Sequence, residues 1–377
     1  MVLSCLALFL LAFAVSATAT PLAAYVARRT GFVDRPQAHK FHRAPTPLLG
    51  GVALYLGAVA PVAGGLLVAR TSLYRWLPGF VRDVVNLDAV ASSAGELMAL
   101  LLGATALAVV GLVDDRRPIR PRTKLLAQSL AGAVVVAGGT VATIYIQNWA
   151  LQAALTVGWI VVVSNALNLM DNMDGLCAGI CLIIALTLLC GAVQTDQPHV
   201  ALLLACIAGS VAGFLLYNFP PAKIFMGDCG SLFLGYMLAV ATILFTYVPP
   251  QAEPVSPFYP IVLPFLILAV PIFDAAVVVA IRFHIGQPIF QGDKRHLSHR
   301  LVALGMTHRE AVLCVYVITL CVAMSAILLY YVQSVSTLGV AIILAQALGF
   351  LSLIVFMEQA GRRSAATASG SARGREP

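Results

Sequence analysis

The chain has 377 residues, of which 60% are hydrophobic and only 10% charged, with a net charge of +7 and a mean hydropathy of +0.93. Soluble globular domains are nearer half apolar and a quarter charged, so water is excluded as the main solvent. The lack of alternating segments excludes a membrane β-barrel, and the positive balance requires no nucleic acid, since Lys and Arg gather in the cytoplasmic loops of membrane proteins.

Apolar runs of about 20 residues, enough to cross a bilayer, recur throughout. They predict an all-α polytopic membrane protein with about 11 transmembrane helices, over 3–26, 48–69, 95–113, 125–146, 149–168, 176–193, 200–217, 230–248, 258–281, 311–331 and 336–357. The fourth and fifth runs are nearly continuous, broken at Gln147–Asn148. The first resembles a signal peptide because "SATA" looks cleavable. Yet no positive charge precedes it and Arg28–Arg29 follow it, which predicts an uncleaved span with the N-terminus outside and the C-terminus cytoplasmic. Residues 1–358 read as a single transmembrane domain, and 359–377, rich in Ser, Ala, Gly and Arg, as a disordered cytoplasmic tail. The eight Cys lie mostly inside apolar runs and form no CxxC pair. They read as small core residues.

Eleven spans place alternate loops on opposite sides. Of the 23 Lys and Arg, only Arg70, Arg75 and Arg82 fall on one side, which assigns the other side to the cytoplasm. Asp34, Asp114, Asp115, Asp171, Asp174, Asp228 and Asp293 share that face. So do His39, His42, His284, His296, His299 and His308, with His199 opposite. The acids played no part in setting the topology, so their clustering on one membrane face points to a site.

In chain order, "VDRPQAHKFHRAPTPLLGG" (33–51) is a Pro-stiffened loop with Lys40, His42 and Arg43, and Gly50–Gly51 permit close packing. In "GLVDDRRPIRPRTK" (111–124), snorkelling and topology account for the Arg residues. They do not account for Asp114 beside Asp115, which repel each other. "SNALNLMDNMDG" (164–175) spaces Asn165, Asn168, Asp171 and Asp174 by three, so that consecutive members are neighbours on a helix. Gly175 is placed to end that helix and turn Asp174 back. Helix capping is the alternative role for these residues, but adjacent carboxylates near a bilayer still call for a cation.

"PAKIFMGDCGS" (221–231) sets Asp228 between glycines that allow close backbone approach, and Asp228 reads either as a ligand or as an N-cap. "FQGDKRHLSHRL" (290–301) crowds Asp293, Lys294, Arg295, His296, His299 and Arg300. Two His without a third ligand are a poor zinc site, and a cationic cluster for phosphates fits better. Thr307 and Glu310 form a capping box for the tenth span.

Acids and bases on one membrane face suit Mg²⁺, which takes oxygen ligands and substrate phosphates. The chemistry indicated is phosphoryl transfer, driven by positioning and charge neutralisation. A lipid substrate explains the membrane fold.

Taken in order, "DRPQAHKFHRAPTPLLGG", "VDDRRPIRPRTK", "NALNLMDNMDG", "MGDCGS" and "DKRHLSHRL" resemble the polyprenyl-phosphate N-acetylhexosamine-1-phosphate transferase family, which includes the phospho-MurNAc-pentapeptide translocases. The resemblance runs from about Asp34 to Arg300. It implies a catalytic domain at 1–358 in the inner (plasma) membrane, with its active site on the cytoplasmic face. That domain would move a sugar-1-phosphate from a UDP-sugar to a polyprenyl phosphate such as undecaprenyl phosphate, releasing UMP, with Mg²⁺ (Mn²⁺ as substitute).

By resemblance, Asp228 and Asn168 ligate the metal. Asp114 deprotonates the lipid phosphate with Asp115 beside it, and Lys124 holds phosphate. Asp171 and Asp174 shape the nucleotide and metal site. Lys40, His42, Asn165, His296, His299 and Arg300 are expected to bind substrate. The family leaves room for a homodimer.

Relatives often read His-x-His-His where Ser298 stands, many carry Arg in place of His39, and Cys229 replaces the usual Ser or Thr. The "DKRHLSHRL" form is nearer the GlcNAc-type members than the peptidoglycan branch, which favours UDP-GlcNAc. An aromatic prenyltransferase would not need the Lys124 and His299 clusters. A CDP-lipid phosphatidyltransferase would carry an Arg that "DGLCAG" lacks. A transporter would show an internal repeat.

Overall fold

The structure, a computed structural model, describes residues 1–34, 45–71, 93–143, 148–246, 259–287, 296–332, 339–350 and 352. It is a helical bundle: α1 Val2–Thr30, α2 Gly50–Arg70, α3 Ala94–Arg116, α4 Pro121–Ala137, α5 Trp149–Met170, α6 Leu176–Gln194, α7 Pro198–Asn218 and α8 Gly227–Phe245. These are followed by α9 Tyr259–Ile267, α10 Ala269–His284, α11 Leu297–Ala303, α12 His308–Val332 and α13 Gly339–Phe350. Among the described residues, eight helices are long and apolar enough to cross a membrane. The chain is thus a multi-pass membrane protein.

Among the described residues, eight of the eleven predicted spans coincide with helices long and apolar enough to cross a membrane, and the other three runs differ. The fourth, α4, stops at Ala137 where hydropathy alone predicts 146. Gly139 takes a φ of 100° there, a conformation most side chains avoid, and its N–H returns to the Val136 carbonyl at 3.0 Å. The chain then leaves the helix, and Ala142 N–H donates to Thr156 Oγ1 of α5 at 2.8 Å. The ninth run is α9 and α10, bent by 77° at Leu268. Pro264 and Pro271 flank the bend, and a proline lacks the N–H a continuous helix needs. Of the eleventh run, the described helix is α13.

Helix α8 is the most enclosed of the spans, packed against α2, α3 and α5. Around it, α1 packs on α2 and α7, α6 on α7 and α12, α4 on α3 and α5, and α10 on α5. Leu3, Leu22, Leu67, Leu102 and Leu130 stay exposed on the outer helices, as expected where hydrocarbon rather than water is the solvent. All eight Cys are free.

The helix ends that carry the motifs are tied together. One departure from an all-helical chain contributes: Val33–Asp34 (β1) and Thr46–Pro47 (β2) pair antiparallel, Val33 opposite Pro47. Pro47 O accepts the Phe225 N–H at 2.9 Å, while Gly50 and Gly51 donate to Phe225 O and Met226 O at 3.0 and 2.9 Å. A Cβ on Gly51 would sit 2.2 Å from Gly230 N, so the close packing expected of Gly50–Gly51 is real.

Candidate active site

Asp114 and Asp115 close α3 and face different helices. Asp114 Oδ1 accepts the Ile119 N–H at 2.6 Å, pinning the turn into α4, and its carboxylate ion-pairs with Lys124 at the start of α4. Asp115 reaches across to α8, where Oδ1 accepts Asp228 N–H at 2.8 Å and Oδ2 accepts Cys229 N–H at 3.1 Å. The first N–H groups of a helix have no partner within it, and Met226 at the N-cap position offers no side-chain bond. Asp115 therefore caps α8 from another helix.

This geometry decides the alternative left open for Asp228, which is not the cap. Gly227 is required twice: its φ is 69°, and a Cβ would lie 2.5 Å from Asp115 Oδ2. Gly111 brings α3 so close that a Cβ would stand 2.3 Å from Asp228 O.

Freed from capping, the Asp228 carboxylate points into a cluster. It ion-pairs with Lys124, which thereby bridges Asp114 and Asp228. Its Oδ1 accepts from Asn168 Nδ2 of α5 at 3.0 Å, and the same amide contacts Ser231 Oγ at 2.9 Å. Four helices, α3, α4, α5 and α8, thus supply one cluster. The side chains of Lys124, Asp114 and Asp228 remain 21%, 11% and 26% exposed, so a ligand can reach them.

Helix α5 ends at Met170 with Asp171 as its C-cap residue, and Gly175 opens α6 instead of closing α5. The Asn/Asp series therefore splits. Asn165 Nδ2 donates to Gln128 Oε1 and to Val161 O, both at 2.7 Å, one turn deeper than Asn168. Asp174 accepts the Ala222 N–H at 2.9 Å. Asn218 braces the same loops, accepting from Gly175 N–H at 3.1 Å and donating to Ile224 O at 2.9 Å. Asp171 lies outside the span. Burial, and then the negative charges of Asp228, Asp115 and Asp174, push its carboxyl up from 3.8 to about 8. That excess of carboxylate is what a cation would relieve.

The histidine segment docks beside this loop. His296 is buried, its Nδ1 2.7 Å from Asp274 Oδ2 of α10, and its ring lies 6.2 Å from that of His299. Ser298, the departure from the usual motif, donates to Asn172 Oδ1 at 2.6 Å. The capping box is present: Thr307 N–H donates to Glu310 Oε2 at 2.8 Å and Glu310 N–H to Thr307 Oγ1 at 3.3 Å. Arg300 lies in α11. Lys40, His42 and Asp293 lie outside the described residues.

Sequence reasoning missed Asp274, Gln128, Asn218 and Ser231. A lone carboxylate in the run "PIFDAAV" was the available signal for Asp274.

Among the described residues, no group of three or more His, Cys, Asp or Glu forms a closed metal cage. The donors at the cluster are oxygens of carboxylates and amides, which suits a hard cation. One or two carboxylates completed by substrate phosphates is the usual Mg²⁺ arrangement. Asp228 with Asn168 fits that open pattern.

The fold and cluster define a multi-pass membrane enzyme with a carboxylate–amine site at the helix ends. A match to the family described as "Glycosyl transferase family 4" spans residues 97–246. A Bacillus subtilis (strain 168) protein, "Probable undecaprenyl-phosphate N-acetylglucosaminyl 1-phosphate transferase", is 34% identical over 82% of this chain and 80% of its own length. "Decaprenyl-phosphate N-acetylglucosaminephosphotransferase" of Mycobacterium leprae (strain TN) is 33% identical over 79% of this chain and 77% of its own. "Phospho-N-acetylmuramoyl-pentapeptide-transferase" of Desulforudis audaxviator (strain MP104C) is 33% identical over 56% of this chain and 66% of its own. The chain belongs to glycosyl transferase family 4 and is a transferase.

Proposed function

We propose that the chain transfers GlcNAc-1-phosphate from UDP-GlcNAc to a polyprenyl phosphate, undecaprenyl phosphate by preference, releasing UMP as the first membrane step of a cell-envelope glycan. One observation carries the reading. Lys124, Asp114, Asp228 and Asn168 meet from four helices at a partly exposed point. The relatives named for undecaprenyl phosphate, decaprenyl phosphate and N-acetylglucosamine support the acceptor and the sugar. Transfer of a phospho-MurNAc-pentapeptide takes second place, since the relative so named covers a smaller share of this chain.

In the proposed reaction, an oxygen of the lipid phosphate attacks the sugar-linked phosphorus of the donor. A new P–O bond forms, the bond to the bridging oxygen of the diphosphate breaks, and UMP leaves with that electron pair. Direct displacement is favoured over an aspartyl intermediate. Asp114 takes the lipid phosphate's proton, and Lys124 holds phosphate charge. Asp228 and Asn168 would hold Mg²⁺, which when bound neutralises diphosphate charge; Mn²⁺ would substitute. Asp115 aims Asp228 by capping α8, and Asp171 and Asp174 shape the nucleotide side. Lys40, His42, His299 and Arg300 contact donor phosphate or sugar, while Asn165 with Gln128 supports Asn168 from below.

The proposed topology has eleven spans, counting α4, the bent α9–α10 pair and α13. It places the N-terminus outside and the site on the cytoplasmic face of the plasma membrane. A homodimer is compatible with it.

The test is a donor panel with purified protein and undecaprenyl phosphate, comparing UDP-GlcNAc, UDP-GalNAc and the pentapeptide donor by UMP release. UDP-GlcNAc should turn over fastest. Turnover of the pentapeptide donor alone would move the protein to the peptidoglycan reaction, and no UMP from any donor would refute the reading.

A further inference from the structure

Across the α5–α6 loop, where Ser298 meets Asn172, lies a buried polar pair. Asp274 is 1% exposed and His296 3%. A carboxylate in a span persists only if it is compensated, and both oxygens of Asp274 are engaged. Oδ2 meets His296 Nδ1 at 2.7 Å, and Oδ1 accepts the Leu297 N–H at 2.6 Å. The next residue, Ser298, is bound to Asn172 Oδ1 at 2.6 Å, adjacent to Asp171. Three consecutive residues thus clamp the start of α11 between α10 and the α5–α6 loop, and α11 carries His299 and Arg300.

An ionised carboxylate can only accept hydrogen bonds, so it holds the His296 proton on Nδ1. In a buried setting such a bond is stronger than in water.

We propose that Asp274 is a positioning residue of the transfer reaction: it fixes the proton and ring orientation of His296 and caps the short helix bearing His299 and Arg300. This rests on the proposed function and adds to it a residue on α10 that no substrate touches.

The two oxygens of Asp274 make distinct predictions. In Asp274→Asn one acceptor survives for Leu297 N–H, but an NH₂ now faces His296 Nδ1, so the imidazole must carry its proton on Nε2. The helix stays in place and the ring chemistry changes. In Asp274→Ala both bonds vanish, and α11 loses its anchor.

The experiment uses the full chain in lipid nanodiscs with UDP-GlcNAc and undecaprenyl phosphate. For Asp274→Asn, kcat should fall on the order of 10²-fold, the cost of a small misplacement in a reacting array. KM for UDP-GlcNAc should stay within about threefold, the mark of a loss confined to the transition state. Nitrogen-15 NMR of labelled histidine should show one ring changing from Nδ1–H to Nε2–H, identified by its disappearance in His296→Gln. Asp274→Ala should raise KM as well as lower kcat.

The proposal is overturned if Asp274→Asn keeps the wild-type kcat, or keeps the Nδ1–H tautomer. A purely structural role would lower melting temperature, donor affinity and kcat together in the Asn variant, and that result also overturns it. Should Asp274→Asn not fold, His296→Gln takes its place. An equal kcat loss there supports the assignment, and wild-type kcat removes it. A wild-type protein that releases no UMP refutes the proposed function itself, and this inference with it.

Discussion

Lys124 sits between two carboxylates, yet Asp114 and Asp228 should not respond alike to removal of their charge. Asp228 carries the proposed metal contact and accepts Asn168. Asp228→Asn should lower turnover by roughly 10²–10³, the range for losing one preorganised electrostatic contact, while membrane insertion and helical content stay as in wild type. Full turnover at ordinary Mg²⁺ would remove the metal assignment. Asp114 instead faces the Ile119 turn and Lys124. Asp114→Asn should cut kcat strongly with little change in UDP-sugar affinity, and equal weakening of both would argue against a base. Asp171 supplies a pH signature. Its carboxyl is raised from 3.8 to about 8, so in metal-free protein its contribution to stability is present below about pH 4 and is lost as pH rises through 8. A bound divalent cation needs the deprotonated form, so apparent Mg²⁺ affinity should rise through pH 8 and level off about one pH unit above it. Calorimetric titration at pH 6, 7 and 8.5 checks the rise, and a flat series would show that Asp171 does not face the ion.

At the scale of elements, the site depends on how closely α3 approaches the start of α8. Gly111 sets that distance, because a Cβ would meet Asp228 O at 2.3 Å. Gly111→Ala should cost about 1–3 kcal/mol through overpacking. It should lower the melting temperature and turnover together, unlike Asp228→Asn, which should affect turnover alone. A melting curve on the detergent-purified variant distinguishes the two. Helix positions were largely legible, since hydropathy locates α1 to α8 and α12 without help. Helix ends were less so. The stop of α4 at Ala137 and the end of α5 at Met170 depend on Gly139, Thr156 and the loop around Asn218. In hydrocarbon the apolar residues beyond a helix end look the same as those within it.

For the whole molecule, the charge asymmetry and the bundle predict a definite orientation. Reporter fusions after residue 358 should be active inside the cell, and accessibility tags placed at the N-terminus or between Arg70 and Ser93 should react from outside. Reaction of both ends from the same side would break the eleven-span topology and move the candidate site off the cytoplasmic face. Of that site, the motifs bearing Asp114, Lys124, Asn168, Asp171 and Asp228 were readable, because a charge or amide in so apolar a chain is costly and stands out. Their division of labour was not. Asp115 read as a catalytic partner of Asp114, and its hydrogen bonds from Asp228 and Cys229 N–H, which cap α8, were not legible. Asn165 read as a ligand and pairs with Gln128.

Composition and the spacing of apolar runs were enough to make this a multi-pass helical membrane protein, and five ordered polar segments were enough to name its family, because both are properties of local composition and order. Only the tertiary structure could separate residues that face a ligand from residues that cap, clamp or aim their neighbours. Asp115 and Asp228, or Asp274 and His296, meet across long stretches of chain, and a carboxylate's role is set by the donors that packing brings within about 3 Å of it.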